Sequence, residues 1–235
     1  MEKTISITPY QSRTFDIKSL KKYDSIYIGS DFCENKIPST NDIKRLAKIF
    51  KGKIIPVFPI LSEKAINRAA KLVDMITSVK NVEEIVANDW GLMNMIKKKY
   101  SHRFKLILGR LIMWEISDIN KEFFNNFFKE YNISSVDIDN PILLKKLEGY
   151  GGKINFLNPL QFKAVTRFCP YMKNFTSELC TQECEKYGFI KLENKKAFCK
   201  DIYLFSTAYF SFNKRRVTDK RIQRLVESYI PKISK

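Results

Sequence analysis

Apolar β-branched runs alternate with amphipathic stretches along most of the chain, the pattern of repeated βα units. ISITPY and SIYIGSDFC (residues 25–33) read as strands, the second ending near Gly29. STNDIKRLAKIF offers Ser39 or Thr40 as a cap and repeats apolar residues at Ile43, Leu46, Ala47 and Phe50, which predicts a helix. KIIPVFPIL reads as a buried strand, with Pro56 and Pro59 removing ladder donors and predicting an edge or a strand end. SEKAINRAAKLVDMITSV begins with Ser62 and places Ile66, Ala69, Ala70 and Val73 on one helical face. The alternation continues through VEEIVAND and WGLMNMIKKKY, then FKLILGR and INKEFFNNFFKEYN with phenylalanines at 123, 124, 127 and 128. SVDIDN, a helix begun by Pro141 in PILLKKLEGYGG, and KINFLNPLQF close the series. About seven strands in βα order predict an α/β fold, a TIM-like (β/α) barrel.

Residues 1–213 read as one barrel-like domain that includes a cysteine-bearing segment, 167–199, and residues 214–235 as a basic C-terminal helix or tail. In that tail Thr218 or Asp219 would cap a helix whose apolar stripe is Ile222, Leu225, Val226 and Tyr229, with Lys220, Arg221 and Arg224 largely outside it. With one helix-like stretch left after the cysteine segment, the barrel is expected to be incomplete or closed by a partner.

A chain of 235 residues with 44% hydrophobic residues buries a core without disulfide staples. The net charge of +17 would attract phosphate-rich partners. Lys214, Arg215, Arg216, Lys220, Arg221 and Arg224 then suggest RNA-backbone contact, or else a solvated basic face in a composition rich in Lys, Asn and Ile throughout. The start, MEKTISITPYQSRTF, has no basic and then apolar leader, and no run approaches the ~20 apolar residues of a membrane span. A cytoplasmic protein without a span is expected. In that reducing setting five cysteines are thiols, catalytic groups or metal ligands rather than cystines.

Three positions follow predicted strands, where barrels gather their chemistry: Cys33, the pair Asn88 and Asp89, and the pair Gly109 and Arg110. Their ordinary readings are a helix cap for Asn-Asp, a tight turn for Gly109 and a surface ion pair for Arg110. RFCPYMKNFTSELCTQECEKYGF (residues 167–189) holds Cys169, Cys180 and Cys184. The last two are four apart and share a face if helical, Cys169 can fold back, and Cys33 would complete an all-thiolate set. That set suits an iron-sulfur cluster or a structural zinc, against a reading as buried, inert thiols. No zincin motif is present, and the one histidine, His102, lies between a helix and a strand and reads as a loop residue rather than a base.

IYIGSDFCENKIPSTNDIKRLAKIF, EEIVANDWGLMNMI, LILGR and RFCPYMKNFTSELCTQECEKY together resemble, in order, segments of the collagenase-like U32 peptidase family across most of residues 20–213. The pattern is most similar to the family's small ubiquinone-biosynthesis members, which serve oxygen-independent hydroxylation. This resemblance implies a 4Fe-4S cluster on Cys33, Cys169, Cys180 and Cys184, with zinc as the alternative, and leaves Cys199 as a structural thiol. It further implies hydroxylation of an RNA base or a quinone precursor beside a paralogous U32-family subunit. A non-enzymatic binding subunit stabilised by cluster or zinc is the second reading, and peptidase activity the last.

Overall fold

Eight parallel strands close into a barrel in a computed structural model of the chain, which describes residues 1–175, 180–192, 201–212, 217–230 and 233–234. The first seven barrel strands are β1 (Glu2–Ile7), β2 (Ser25–Gly29), β3 (Lys53–Phe58), β4 (Glu84–Ala87), β5 (Lys105–Leu108), β6 (Ile133–Ile138) and β7 (Lys153–Asn158). The described helices between them are α1 (Gln11–Thr14), α2 (Ile17–Leu20), α3 (Thr40–Ile49), α4 (Glu63–Ile76), α5 (Trp90–Tyr100), α6 (Arg110–Ile116), α7 (Lys121–Glu130) and α8 (Pro141–Lys146). Side-chain caps start most of the longer ones. Ser39 and Asp42 form a reciprocal capping box on α3, Ser62 caps α4, Asp89 caps α5, and Asn140 caps α8 with Pro141 in its first turn. The helices pack an apolar layer against the outside of the barrel, with Ile26, Ile54, Leu106 and Phe156 among its buried strand residues.

After β7 the chain leaves the barrel and returns to it only much later. The excursion holds β8 (Leu160–Val165), the short pair β9 (Phe168–Cys169) and β10 (Asn174–Phe175), helix α9 (Glu183–Tyr187), then β11 (Phe189–Leu192), β12 (Ile202–Phe205) and β13 (Ala208–Phe212). Strand β14 (Ile222–Ser228) re-enters the barrel between β7 and β1, pairing parallel to both. A last short strand, β15 (Ile233–Ser234), completes a five-stranded sheet in the order β15-β11-β12-β13-β8. KINFLNPLQF is therefore not one strand: β7 belongs to the barrel and β8 to the second sheet. Leu160, Phe189, Ala208 and Phe210 form that sheet's own core, and Phe32 from the loop after β2 packs against it. The Phe32 ring stacks on Phe162 at 5.0 Å and meets Phe210 edge-on at 5.2 Å.

Three expectations are corrected here. The stretch from Ile222 to Ser228 is a strand, not a helix, and the barrel closes within the chain. Ile222, Arg224 and Val226 are buried in alternation, and two open ladders on β1 and β7 reward that period over the helical one. Pro56 lies inside a barrel strand rather than on an edge; the ladder from β3 to β4 starts only at Val57, one residue later. A further helix, α6, follows β5 directly where the sequence reading placed none.

The barrel interior is polar at its centre. Arg224 is 1% exposed; its Nη2 donates to Glu84 at 2.8 Å and to Glu2 at 3.1 Å, and Nη1 reaches the Tyr27 hydroxyl at 3.3 Å. Above this layer Asp137 Oδ1 accepts from Tyr27 at 3.0 Å and from Asn155 at 2.8 Å. Its Oδ2 has no partner among the described residues. Burial pushes the Asp137 carboxyl up to about 7, against the pull of the Asn155 hydrogen bond.

Removing a buried partner strands its counter-charges, so Arg224→Met should cost about 3 kcal/mol in denaturant melts. Asp137 titrates with the opposite sign to a salt-bridged carboxylate. Its folded value, about 7, lies above the ordinary 3.8, so the folded state holds a proton that the unfolded chain has lost. Its contribution to stability therefore falls as pH rises from about 4 to 7, by ~1.4 kcal/mol per unit of displacement. Melts at pH 5 and pH 8 should show Asp137→Asn gaining on the parent protein at the higher pH, with no such gain if this carboxyl titrates normally.

Candidate metal centre

The loop leaving β2 carries the first of the site's residues. Gly29 ends the strand at φ +135°, and a Cβ there would lie 2.2 Å from the Val57 carbonyl oxygen, so only glycine lets β2 turn this close to β3. Asp31, Phe32 and Cys33 follow, and a 3-10 turn over Glu34–Lys36 swings Lys36 inward, its N–H bonding the Cys33 carbonyl at 3.0 Å. The excursion supplies the rest. Cys169 lies in the β9–β10 pair, Cys180 before α9, and Cys184 within α9. Cys33, Cys169, Cys180 and Cys184 all wall one cavity of about 290 Å³, open beside the C-terminal ends of the barrel strands.

The cysteine segment differs from its expected shape. Gln182 adopts a left-handed conformation (φ +57°) and α9 begins only at Glu183. Cys180 and Cys184 therefore do not share a helical face; a bend between them turns both toward the cavity. Among the described residues, no three cysteine, histidine or acidic side chains are drawn together as a ready metal site. Cys199 lies outside the described residues.

The surroundings of the thiols are charged and buried. Lys36 and Glu185 form an ion pair with side chains 3% and 1% exposed, Gln11 donates to the other Glu185 oxygen at 3.1 Å, and the Lys36 ammonium lies 4.1 Å over the Phe205 ring. Burial opposes the Lys36 charge, but Cys184 and Glu185 outweigh it and hold the ammonium's pKa above its ordinary value. Burial also pushes the Cys184 thiol up to about 11, against the attraction of Lys36, and raises Cys33 likewise. At the tip of the β12–β13 hairpin, Ser206 (φ +59°) lines the cavity with its side chain at the Cys33 thiol, where its hydrogen bond opposes the upward push of burial. Thr207 fastens the same tip by donating to the Phe32 carbonyl at 2.9 Å. Four cysteine side chains around one cavity, with a buried cation beside them, are the soft donor type that iron-sulfur clusters and zinc use, although they are not drawn to ligating distance of one another here.

The other positions after strands belong to a polar lock at the barrel mouth. Arg110 is buried, not a surface partner: Nη2 donates to Asp31 at 2.7 Å and Nη1 to Asp139 at 3.1 Å, and its guanidinium lies 4.7 Å over Phe32. Asn88 donates to Asp31 at 2.9 Å and accepts from the Leu111 N–H at 3.0 Å. Asp89 is a helix cap, as its ordinary reading had it, and also accepts from the Leu61 N–H at 3.1 Å. His102 is exposed in the turn entering β5, on the face opposite the mouth. The basic tail loses two members. Arg224 lies inside the barrel, and Arg221 pairs with Asp219 and caps α8 by donating to the Leu144 and Leu147 carbonyls at 2.8 and 2.7 Å. Lys214, Arg215 and Arg216 lie outside the described residues.

No protein-family model and no curated protein matches the chain. Among solved structures, that of the U32 peptidase Mk0906 is similar to it, with a TM-score of 0.55 over 99% of this chain and 94% of that one. The two are 10% identical in sequence. The likeness is one of fold. It extends over the excursion as well as the barrel, since nearly the whole chain is covered. No helix among the described residues is long and apolar enough to cross a membrane.

Lys36, Glu185, Ser206, Asp31 and Asp139 were not singled out in the sequence. Two of them had a signal: Lys36 is three residues from Cys33, and Glu185 is the neighbour of Cys184.

The mouth lock has a steric test. A Cβ on Gly109 would lie 2.2 Å from Asn88 Oδ1. Gly109→Ala should therefore displace Asn88 from three hydrogen bonds, to Asp31, the Phe58 carbonyl and the Leu111 N–H. A loss of about 2 kcal/mol or more in a urea melt is expected, whereas an unchanged midpoint would show that Asn88 relaxes freely.

Proposed function

We propose that this chain is an iron-sulfur protein on a U32-type barrel, binding a 4Fe-4S cluster through Cys33, Cys169, Cys180 and Cys184. The observation that carries this reading is that all four line one cavity although Cys33 lies far from the other three in sequence. Thiolates select soft metals over hard cations, and the ordered sequence resemblance favours iron-sulfur over zinc. When bound, the cluster would supply one-electron chemistry. The reaction it serves in this reading is oxygen-independent hydroxylation of an RNA base or a quinone precursor, beside a paralogous barrel subunit; the resemblance of the cysteine segment and of the strand ends supports it.

The chain's own side chains do the rest of the work in this reading. Phe32 lines the cavity and packs against the sheet core, Lys36 opposes the negative charge of the thiolates, and Ser206 hydrogen-bonds at Cys33. Arg110 is occupied by two carboxylates, so it shapes the mouth rather than meeting a substrate anion. Ligation would tie the β2 loop to the late excursion, and binding available only to the folded state adds to its stability.

Protein purified without oxygen should absorb in the visible and contain iron and acid-labile sulfide. Cys184→Ser should bleach it and Cys199→Ser should not, and the cluster-free protein should melt at a lower temperature. A colourless wild type carrying zinc would overturn the cluster and leave the four-thiolate site as a structural one.

A further inference from the structure

The Lys36–Glu185 pair has no evident reason to be buried. Ion pairs withdrawn from water seldom stabilise a fold more than apolar side chains of the same size would, and an apolar pair would pack as well beside Phe205. What distinguishes the pair is its placement. Lys36 is fixed by the 3-10 turn that begins at Cys33, and Glu185 adjoins Cys184 in α9. Each partner is thus carried by a different one of the two cysteine-bearing segments. Both side chains are almost fully buried, and Gln11 holds the Glu185 oxygen that Lys36 does not use. The ammonium faces the thiols of Cys184 and Cys33 as well as the carboxylate.

Resting on the cluster reading above, we propose that Lys36 is the counter-charge that sets the reduction potential of the centre, and that Glu185 is the positioning residue that aims and moderates it. A four-thiolate cluster is negative and becomes more so when it accepts an electron. A buried ammonium at the thiolates stabilises the reduced form more than the oxidised one, because charges interact strongly where water is excluded. Glu185 acts oppositely, both by its own charge and by drawing the ammonium toward itself.

The two partners should therefore shift the potential in opposite directions, which a merely structural pair would not do. Lys36→Met keeps the length of the side chain but leaves Glu185 facing the thiolates, and should lower the potential. Glu185→Gln keeps the shape but frees the ammonium for the thiolates, and should raise it. Lys36→Arg should stay near the wild type. The measurement is an anaerobic titration of the visible absorption of each intact protein, with dithionite delivering electrons through mediator dyes to the cluster. Opposite shifts support the assignment; shifts of one sign, or coincident potentials in iron-loaded variants, overturn it. If Lys36→Met fails to retain iron, Glu185→Gln decides alone, an upward shift supporting the assignment and any other result overturning it. A wild type without iron overturns the cluster reading itself, whereas an iron-loaded wild type whose variants share its potential overturns only this inference.

Discussion

Closure of the barrel by the strand from Ile222 to Ser228 is the constraint on which the rest of the molecule depends. That strand brings Arg224 to the axis, where Glu2 and Glu84 receive it, and pairs with the first and the seventh strands at once. Because the chain departs after β7 and must come back to the same gap, everything between becomes a loop anchored at both ends to the barrel. Four of the second sheet's five strands and Cys169, Cys180 and Cys184 are contents of that loop, and they are held over the strand ends because both its anchors are fixed. Phe32, stacked on Phe162 and Phe210, then fastens the excursion to the loop that carries Cys33.

The first seven strands were legible because each is a short apolar run and several lead into a capped amphipathic helix, and those signals are local. Ser39, Ser62 and Asp89 mark helix starts by hydrogen bonds within their own first turns. The eighth strand was not legible for the converse reason. Ile222, Leu225, Val226 and Tyr229 fit a helical period, whereas the buried positions of the strand are Ile222, Arg224 and Val226, an alternation hidden by its arginine and rewarded only by the waiting ladders of β1 and β7. The second sheet escaped notice because its first strand, β8, pairs with β13 across a long stretch of chain, and nothing near Pro159 announces that KINFLNPLQF belongs to two sheets.

Of the cavity, the four cysteines that line it had been singled out by spacing and resemblance, but the charges that surround them could not be read. A lysine in ENKIP and a glutamate in QECEKY look like solvated residues in a chain so rich in charge. Their burial is a property of the docked excursion, visible only when both segments are in place. The same holds at the mouth. Arg110 read as a surface ion-pair partner, yet Asp31 and Asp139 meet it from two other strand ends and enclose it. Charge in this sequence is informative only at the few positions where the fold removes it from water.

The late return of β14 also bears on how the protein is made. During synthesis from the N-terminus, β1 and β7 emerge long before the strand that pairs with both, so the nascent barrel exposes two open parallel edges while the whole excursion is translated. Such edges are templates for pairing with other chains. The half-finished barrel is therefore the species most exposed to misassembly, and its hazard ends only when the arginine-bearing strand has left the ribosome.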